Sequence, residues 1–302
     1  MPRNSLHLLL SSVAAALVVT GSSLLVPALR GDATWLPSAD ASVAPAASAA
    51  DLEADPEAEA RREWAAKGER LTAALAGYAE GGAEFAVTLV DNRTGYAFDY
   101  FGDESFETAS VAKVDILAAL LLLAQDEGRE LTGRELRLAT QMIGVSDNDA
   151  ATALYDVIGA ASGLSAANAR LGLERTTPSA SWGLTTTTPN DQARLVGALL
   201  TTGTVFTDYS RETATTLMTS IDADQAWGVS AAAADGERTA LKNGWLSRDT
   251  EAGEWIVNSA GRITGDRTDL VLVVLSHGNA GYRAGVDTVE KVATLTREQL
   301  GV

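Results

Sequence analysis

Apolar and polar positions alternate through residues 84–101, "EFAVTLVDNRTGYAFDYF", on both sides of "DNRTG", which predicts a β-hairpin with its turn in the middle. From Ser105 to about Ile221 the spacing becomes helical, broken at Gly128, at Gly159 to Gly163 and in a Thr/Pro/Ser-rich loop from Thr176 to Pro189. Strand patterns return in "RTALKNGWL", "EWIVNSAGRI" and "TDLVLVVLSHG", and "VDTVEKVATLTREQL" closes the chain as an amphipathic helix. Upstream, Asp55 followed by Pro56 forms an N-cap and first-turn pair for a helix carrying Trp64, Leu71, Ala74 and Leu75. The order is helix, strands, helices, strands, helix. It predicts an α+β fold, with an antiparallel sheet built from both ends of the chain and an all-helical lobe, about residues 105–221, inserted between them. A cleft between two such lobes is a usual place for a site.

Residues 2–29 differ: Arg3, a long apolar run and the small-residue "VPA" ending at Ala28 read as an export leader. The run is also long enough to be an uncleaved anchor, giving a membrane tether through residues 5–29. Residues 30–54, rich in Ala, Ser, Asp and Pro, read as a disordered spacer, which leaves 55–302 as the folded domain. The expected location is outside the cytoplasm.

Composition then narrows the chemistry. A net charge of -17 argues against a nucleic-acid partner, since phosphate binding needs clustered Lys and Arg. With no cysteine in 302 residues, disulfides, thiolate catalysis and cysteine-ligated zinc are excluded, and no other metal or cofactor is implied. The histidines are His7, in the leader, and His277, so a Ser-His-Asp triad would have to use His277, which after a strand is more often structural. Lysine occurs only at 67, 113, 242 and 291, and Lys113 stands in the otherwise apolar stretch "ETASVAKVDILAALLLLAQ". An ammonium there must lose its charge or find a partner.

Ser110, three residues before Lys113 at the predicted helix start, shares its face. The helix dipole and free backbone N–H groups there suit a nucleophile, and a desolvated lysine could accept the serine proton. About 35 residues on, Ser146, Asp147 and Asn148 fall between two helical segments, where any of the three could serve as an ordinary N-cap. A third stretch, "KNGW" from Lys242 to Trp245, lies in a predicted strand.

In this order and spacing, S-x-x-K, S-D-N and K-N-G resemble the signature of the penicilloyl serine transferases, class A β-lactamases in particular. The resemblance spans about residues 68–302. It includes "TLVDNRTGYAFDYFGDESFETASVAK", similar to the first hairpin and nucleophile helix, and "LTTTTPNDQARLVGALL", similar to the helix entry after the omega loop. It implies a three-layer α/β/α domain plus a helical lobe, and an exported serine hydrolase that forms an acyl-enzyme on Ser110 with a β-lactam or peptidoglycan-like substrate. Lys113 would be the base and Ser146 the proton relay. Asn148 would hold the substrate's side-chain amide and Lys113, while Lys242 and Asn243 would receive its carboxylate. The N–H groups of Ser110 and Trp245 would form the oxyanion hole. No feature requires more than a monomer.

Two departures stand out. Asn243 replaces the Thr or Ser general in the family, and Trp245 puts a bulky side chain beside the oxyanion strand. The omega loop lacks the E-x-x-L-N motif whose glutamate activates the deacylating water: between Gly172 and "TTTTP" there is only "LERTTPSASWGL", with Glu174 its sole acid. Asp191 reads as a first-turn residue of the next helix. Slow deacylation is therefore expected. A D-alanyl-D-alanine peptidase or an esterase would share the three motifs without needing that glutamate, and a non-catalytic penicillin- or wall-binding module is the reading of another class.

Overall fold

Strand β7, Thr268–Asn279, shows how the chain assembles. Its Leu270, Leu272 and Val274 enter one buried cluster and its Val271, Val273 and Leu275 another, so both faces of the strand are covered. The sheet order is β2-β1-β7-β6-β5, where β1 is Glu84–Asp91, β2 Ala97–Tyr100, β5 Arg238–Arg248 and β6 Glu254–Gly265, and every pairing is antiparallel. The predicted hairpin is β1–β2. Asp91 closes its turn by accepting from Arg93 N and Thr94 Oγ1 at 2.9 and 2.8 Å, and Gly95 supplies the left-handed residue at φ 74°.

The computed structural model describes residues 55–82, 84–248 and 254–302. The leader expected over 1–29 and the spacer over 30–54 lie outside the described residues. Helix α1, Pro56–Ala79, starts where the Asp55–Pro56 pair predicts, with the Asp55 carboxylate accepting from Glu57 N at 3.1 Å. It packs with the closing helix α8, Tyr282–Leu300, on one face of the sheet, where Leu71, Leu75, Val289 and Val292 fill the core with Val87, Leu89 and Leu272. On the other face lie α2 (Ala112–Asp126), α3 (Gly133–Gly144), α4 (Asn148–Val157), α5 (Ala160–Leu171), α6 (Pro189–Leu200) and α7 (Asp208–Thr219). This is the α+β arrangement with an inserted helical lobe that the pattern predicts, in the three layers that the family resemblance implies.

Helix α2 is the axis of that lobe. Twelve of its fifteen residues are buried, because α3, α4, α5, α6 and α7 all pack on it. Burying a Leu, Ile or Val contributes about 1.5–3 kcal/mol each, so its apolar face alone outweighs the cost of holding one lysine there. The helix begins later than the sequence suggests: a 3-10 turn, Ala109–Val111, precedes it, and Ala109 at φ 46° stops the helix from extending back.

Candidate active site

The site is assembled where α2, the α3–α4 corner and β5 meet. Lys113 is 0% exposed, the second residue of α2, and its ammonium donates to Ser146 O at 2.5 Å, Ser146 Oγ at 3.0 Å and Asn148 Oδ1 at 2.8 Å. Lys242, on β5, reaches the same Ser146 Oγ at 3.0 Å and Asn243 O at 2.8 Å. One hydroxyl thus bridges two buried lysines. The corner that presents it is strained, with Ser146 at φ 60°, and is fixed by Asp147, whose carboxylate caps α4 by accepting from Ala150 N at 2.7 Å. Within "SDN" the central Asp is the cap, and its two neighbours accept from Lys113.

Burial lowers the Lys113 ammonium to a pKa of about 8, against the pull of Asp147 upward. Lys242 falls to about 7, first through burial and then through repulsion by Lys113. Both lysines are thereby brought near neutral pH, the range a proton carrier needs.

Ser110 lies in the 3-10 turn ahead of α2, and its Oγ has no hydrogen-bond partner among the described residues. Its turn is held from behind by Asn258 of β6, whose amide donates to Glu107 O at 2.8 Å and Thr108 O at 3.2 Å and accepts from Ser276 N at 3.0 Å. From the side it is held by β5: a Cβ on Gly244 would come within 2.7 Å of Ser110 N and Val111 N, so only glycine allows this approach. The approach sets Trp245 beside the serine on the edge strand of the sheet, where one row of N–H groups is free of sheet pairing.

These residues open into a cleft of about 690 Å³ lined by Ser110, Asn148, Thr152, Tyr155, Asp156, Trp182, Leu184, Trp245 and Leu246, among others. Of the residues singled out in the sequence, Ser110, Asn148 and Trp245 line this cleft, and Lys113, Ser146 and Lys242 lie behind it, joined to one another and to Asn148 by hydrogen bonds. The Asn243 side chain joins neither set. Side chains alternate along a strand, so its amide turns the other way, is 1% exposed, and donates to Gln225 O and Trp227 O at 2.8 and 3.0 Å. The expected contact of Asn243 with a substrate carboxylate is therefore not what this geometry provides; the amide instead ties β5 to the 225–227 segment.

Glu174 is exposed and lines a different groove with Asp103, Arg175 and Arg194. Asp191 is structural, as expected: it is buried and accepts from Arg175 N and Thr176 Oγ1, both at 2.8 Å, and pairs with Arg194 at 3.1 Å. Arg248 and Arg262 pair with Glu107 at 3.3 Å and with Asp269 at 2.7 Å.

Three participants are not evident in the sequence. Trp182, in a 3-10 turn of the 173–188 loop, lies with its ring centroid 4.9 Å from Lys113 Nζ. Tyr155 donates to Ser179 O at 2.7 Å and so pins that loop, and Asn258 braces the turn that holds Ser110. The only sequence signal for Trp182 is a large aromatic in a loop of small residues.

The sequence profile of the beta-lactamase enzyme family matches residues 127–300. The chain belongs to the beta-lactamase enzyme family. The match takes in Ser146–Asn148 and Lys242–Trp245, while Ser110 and Lys113 precede it. The solved structures it resembles carry the same fold. A beta lactamase from Xanthomonas campestris pv. campestris superposes with a TM-score of 0.67 at 21% identity, covering 78% of this chain and 99% of that one. A beta-lactamase from Sphaerobacter thermophilus gives 0.65 at 22%, covering 76% and 97%. An ancestral class A beta-lactamase of Gram-negative bacteria gives 0.64 at 23%, covering 76% and 99%. No curated protein sequence matches the chain significantly. For a member of this family, the notable features are the aromatic loop over the lysine and the inward Asn243.

Proposed function

We propose that the protein is an exported, monomeric serine hydrolase of the class A β-lactamase type that is acylated on Ser110 by a β-lactam and releases the acyl group slowly. The observation that carries this reading is the single Ser146 hydroxyl held at 3.0 Å from both Lys113 and Lys242, next to a serine whose own hydroxyl is free. In this scheme neutral Lys113 takes the Ser110 proton as Oγ attacks the lactam carbonyl. The N–H groups of Ser110 and Trp245 receive the oxyanion, a donor pair of which each member is typically worth about 3 kcal/mol. Ser146 passes the proton to the leaving nitrogen, with Lys242 favouring its alkoxide character. Asn148 holds Lys113 and is open to the substrate's side-chain amide.

Slow release follows from the loop: Glu174, its acid, lies outside the cleft. One observation favours a second reading. With the Asn243 amide turned inward, a substrate carboxylate has Lys242 alone to meet it, which suits an esterase, whose substrate needs no carboxylate, better than a fast lactamase or a D-alanyl-D-alanine peptidase. A penicillin- or wall-binding module without turnover is the third.

The test is a chromogenic cephalosporin followed by stopped flow, with Ser110→Ala as control. A burst of about one equivalent and then a slow steady phase supports the proposal; a linear fast phase supports efficient release; no burst in the wild type, with ester hydrolysis retained, supports the second reading.

A further inference from the structure

We propose that Trp182 determines the lifetime of the acyl-enzyme, by closing the approach of water to Lys113 and the Ser110 ester. The inference rests on the acyl-enzyme reading above and concerns what happens after it forms. Hydrolysis requires a water oxygen to bond to the acyl carbon while its proton passes to a base, and the acyl C–O bond to break with Ser110 Oγ taking a proton back. Once acylation has delivered its proton to the leaving group, Lys113 is neutral again and is the base nearest the ester. Water must reach it. The indole ring stands 4.9 Å from Nζ, and its Nε1 donates to Thr152 Oγ1 at 3.2 Å, which fixes the ring to α4.

The loop that carries Trp182 is not free to swing. Its residues Thr186–Thr187 form strand β4, paired with strand β3, Phe106–Glu107, just ahead of the nucleophile turn, and Thr177 bridges Thr186. Tyr155 holds Ser179 O, and the 3-10 turn Trp182–Leu184 packs on the Ala109–Val111 turn. The ring is thus anchored on the nucleophile's own supports. The ring that excludes water is also part of the cover that buries Lys113 and so lowers its ammonium. The other charged groups facing Lys113 are Asp147 at the cap of α4 and Lys242 on β5, and neither is altered by changing Trp182.

The experiment labels wild type, Trp182→Phe, Trp182→Ala and Thr152→Val with benzylpenicillin. Free drug is then removed, and adduct decay is followed by intact mass between pH 6 and 9, with thermal unfolding to show that each variant folds. The expected result is decay about tenfold faster in Trp182→Ala and an intermediate gain in both Thr152→Val and Trp182→Phe, where a ring is kept but its hydrogen bond to α4 is lost. The pH midpoint of acylation should also move up in Trp182→Ala, as the uncovered ammonium regains water, while it stays in place in Thr152→Val, where the ring is kept. Equal decay in all four proteins overturns the role of Trp182 while leaving the acyl-enzyme intact; no adduct even in the wild type removes the acyl-enzyme reading and this inference with it.

Discussion

Lys113 and Asp115 stand two positions apart on α2, and burial pushes them in opposite directions. The lysine is lowered to about 8; the carboxyl of Asp115, wholly buried and helped only in part by Asn168, is raised to about 7. Asp115 therefore keeps its proton in the folded chain where an unfolded one, near 3.8, loses it. Folding stability should fall as pH rises from about 4 to about 7 and then level off, and Asp115→Asn should remove that slope and gain stability at pH 8; urea titrations across the range measure it. In the proposed mechanism neutral Lys113 is the base, so the acylation rate should rise with pH and level above about 8. Lys113 was legible in the sequence because a lysine breaks an apolar run. Asn243 was misread because a side chain's direction on a strand depends on which face the neighbouring elements cover, and Trp182 left no periodic trace.

Among the elements, β5 is the one on which the site depends most closely. Gly244→Ala would set a Cβ 2.7 Å from two backbone nitrogens and 2.8 Å from Thr108 O, none of which can rotate away. The variant should fold with a destabilisation of about 1–3 kcal/mol yet acylate at least about tenfold more slowly, as read by labelling rate beside thermal unfolding. The start of β5 is secured at Glu237, whose carboxylate accepts from Arg297 of α8 and from Thr268, and is thereby held at a pKa of about 2. Because that value lies below the ordinary 4.5, its stabilisation is present above pH 4.5 and disappears as the pH drops towards 2. Glu237→Gln should lower the melting temperature at pH 7 by an amount equivalent to about 1–2 kcal/mol and converge with the wild type in acid. The strands and helices were legible, because alternation and helical spacing report which face is covered. The exact start of α2 was not, since a left-handed Ala109 has no signature of its own.

At the scale of the molecule, a sheet built from both ends of the chain brings Lys242 to a helical lobe whose own Lys113 and Ser146 are nearly a hundred residues or more distant in sequence. The lobe order could be read from the pattern, the three-layer arrangement came from the family resemblance, and the motif spacing pointed to the residues that meet. What the linear order could not contain was the closure of the cleft by the 173–188 loop, which depends on packing against α4 and the nucleophile turn. The central claim is that Ser110 is acylated and that the acyl group persists. Intact mass of the protein mixed with a penicillin, followed over minutes and mapped to its peptide, tests it most directly. The account predicts a single adduct on the Ser110 peptide that outlasts removal of the drug and is absent from Ser110→Ala. An adduct on another residue, or rapid consumption of penicillin with no adduct at any time, would contradict it.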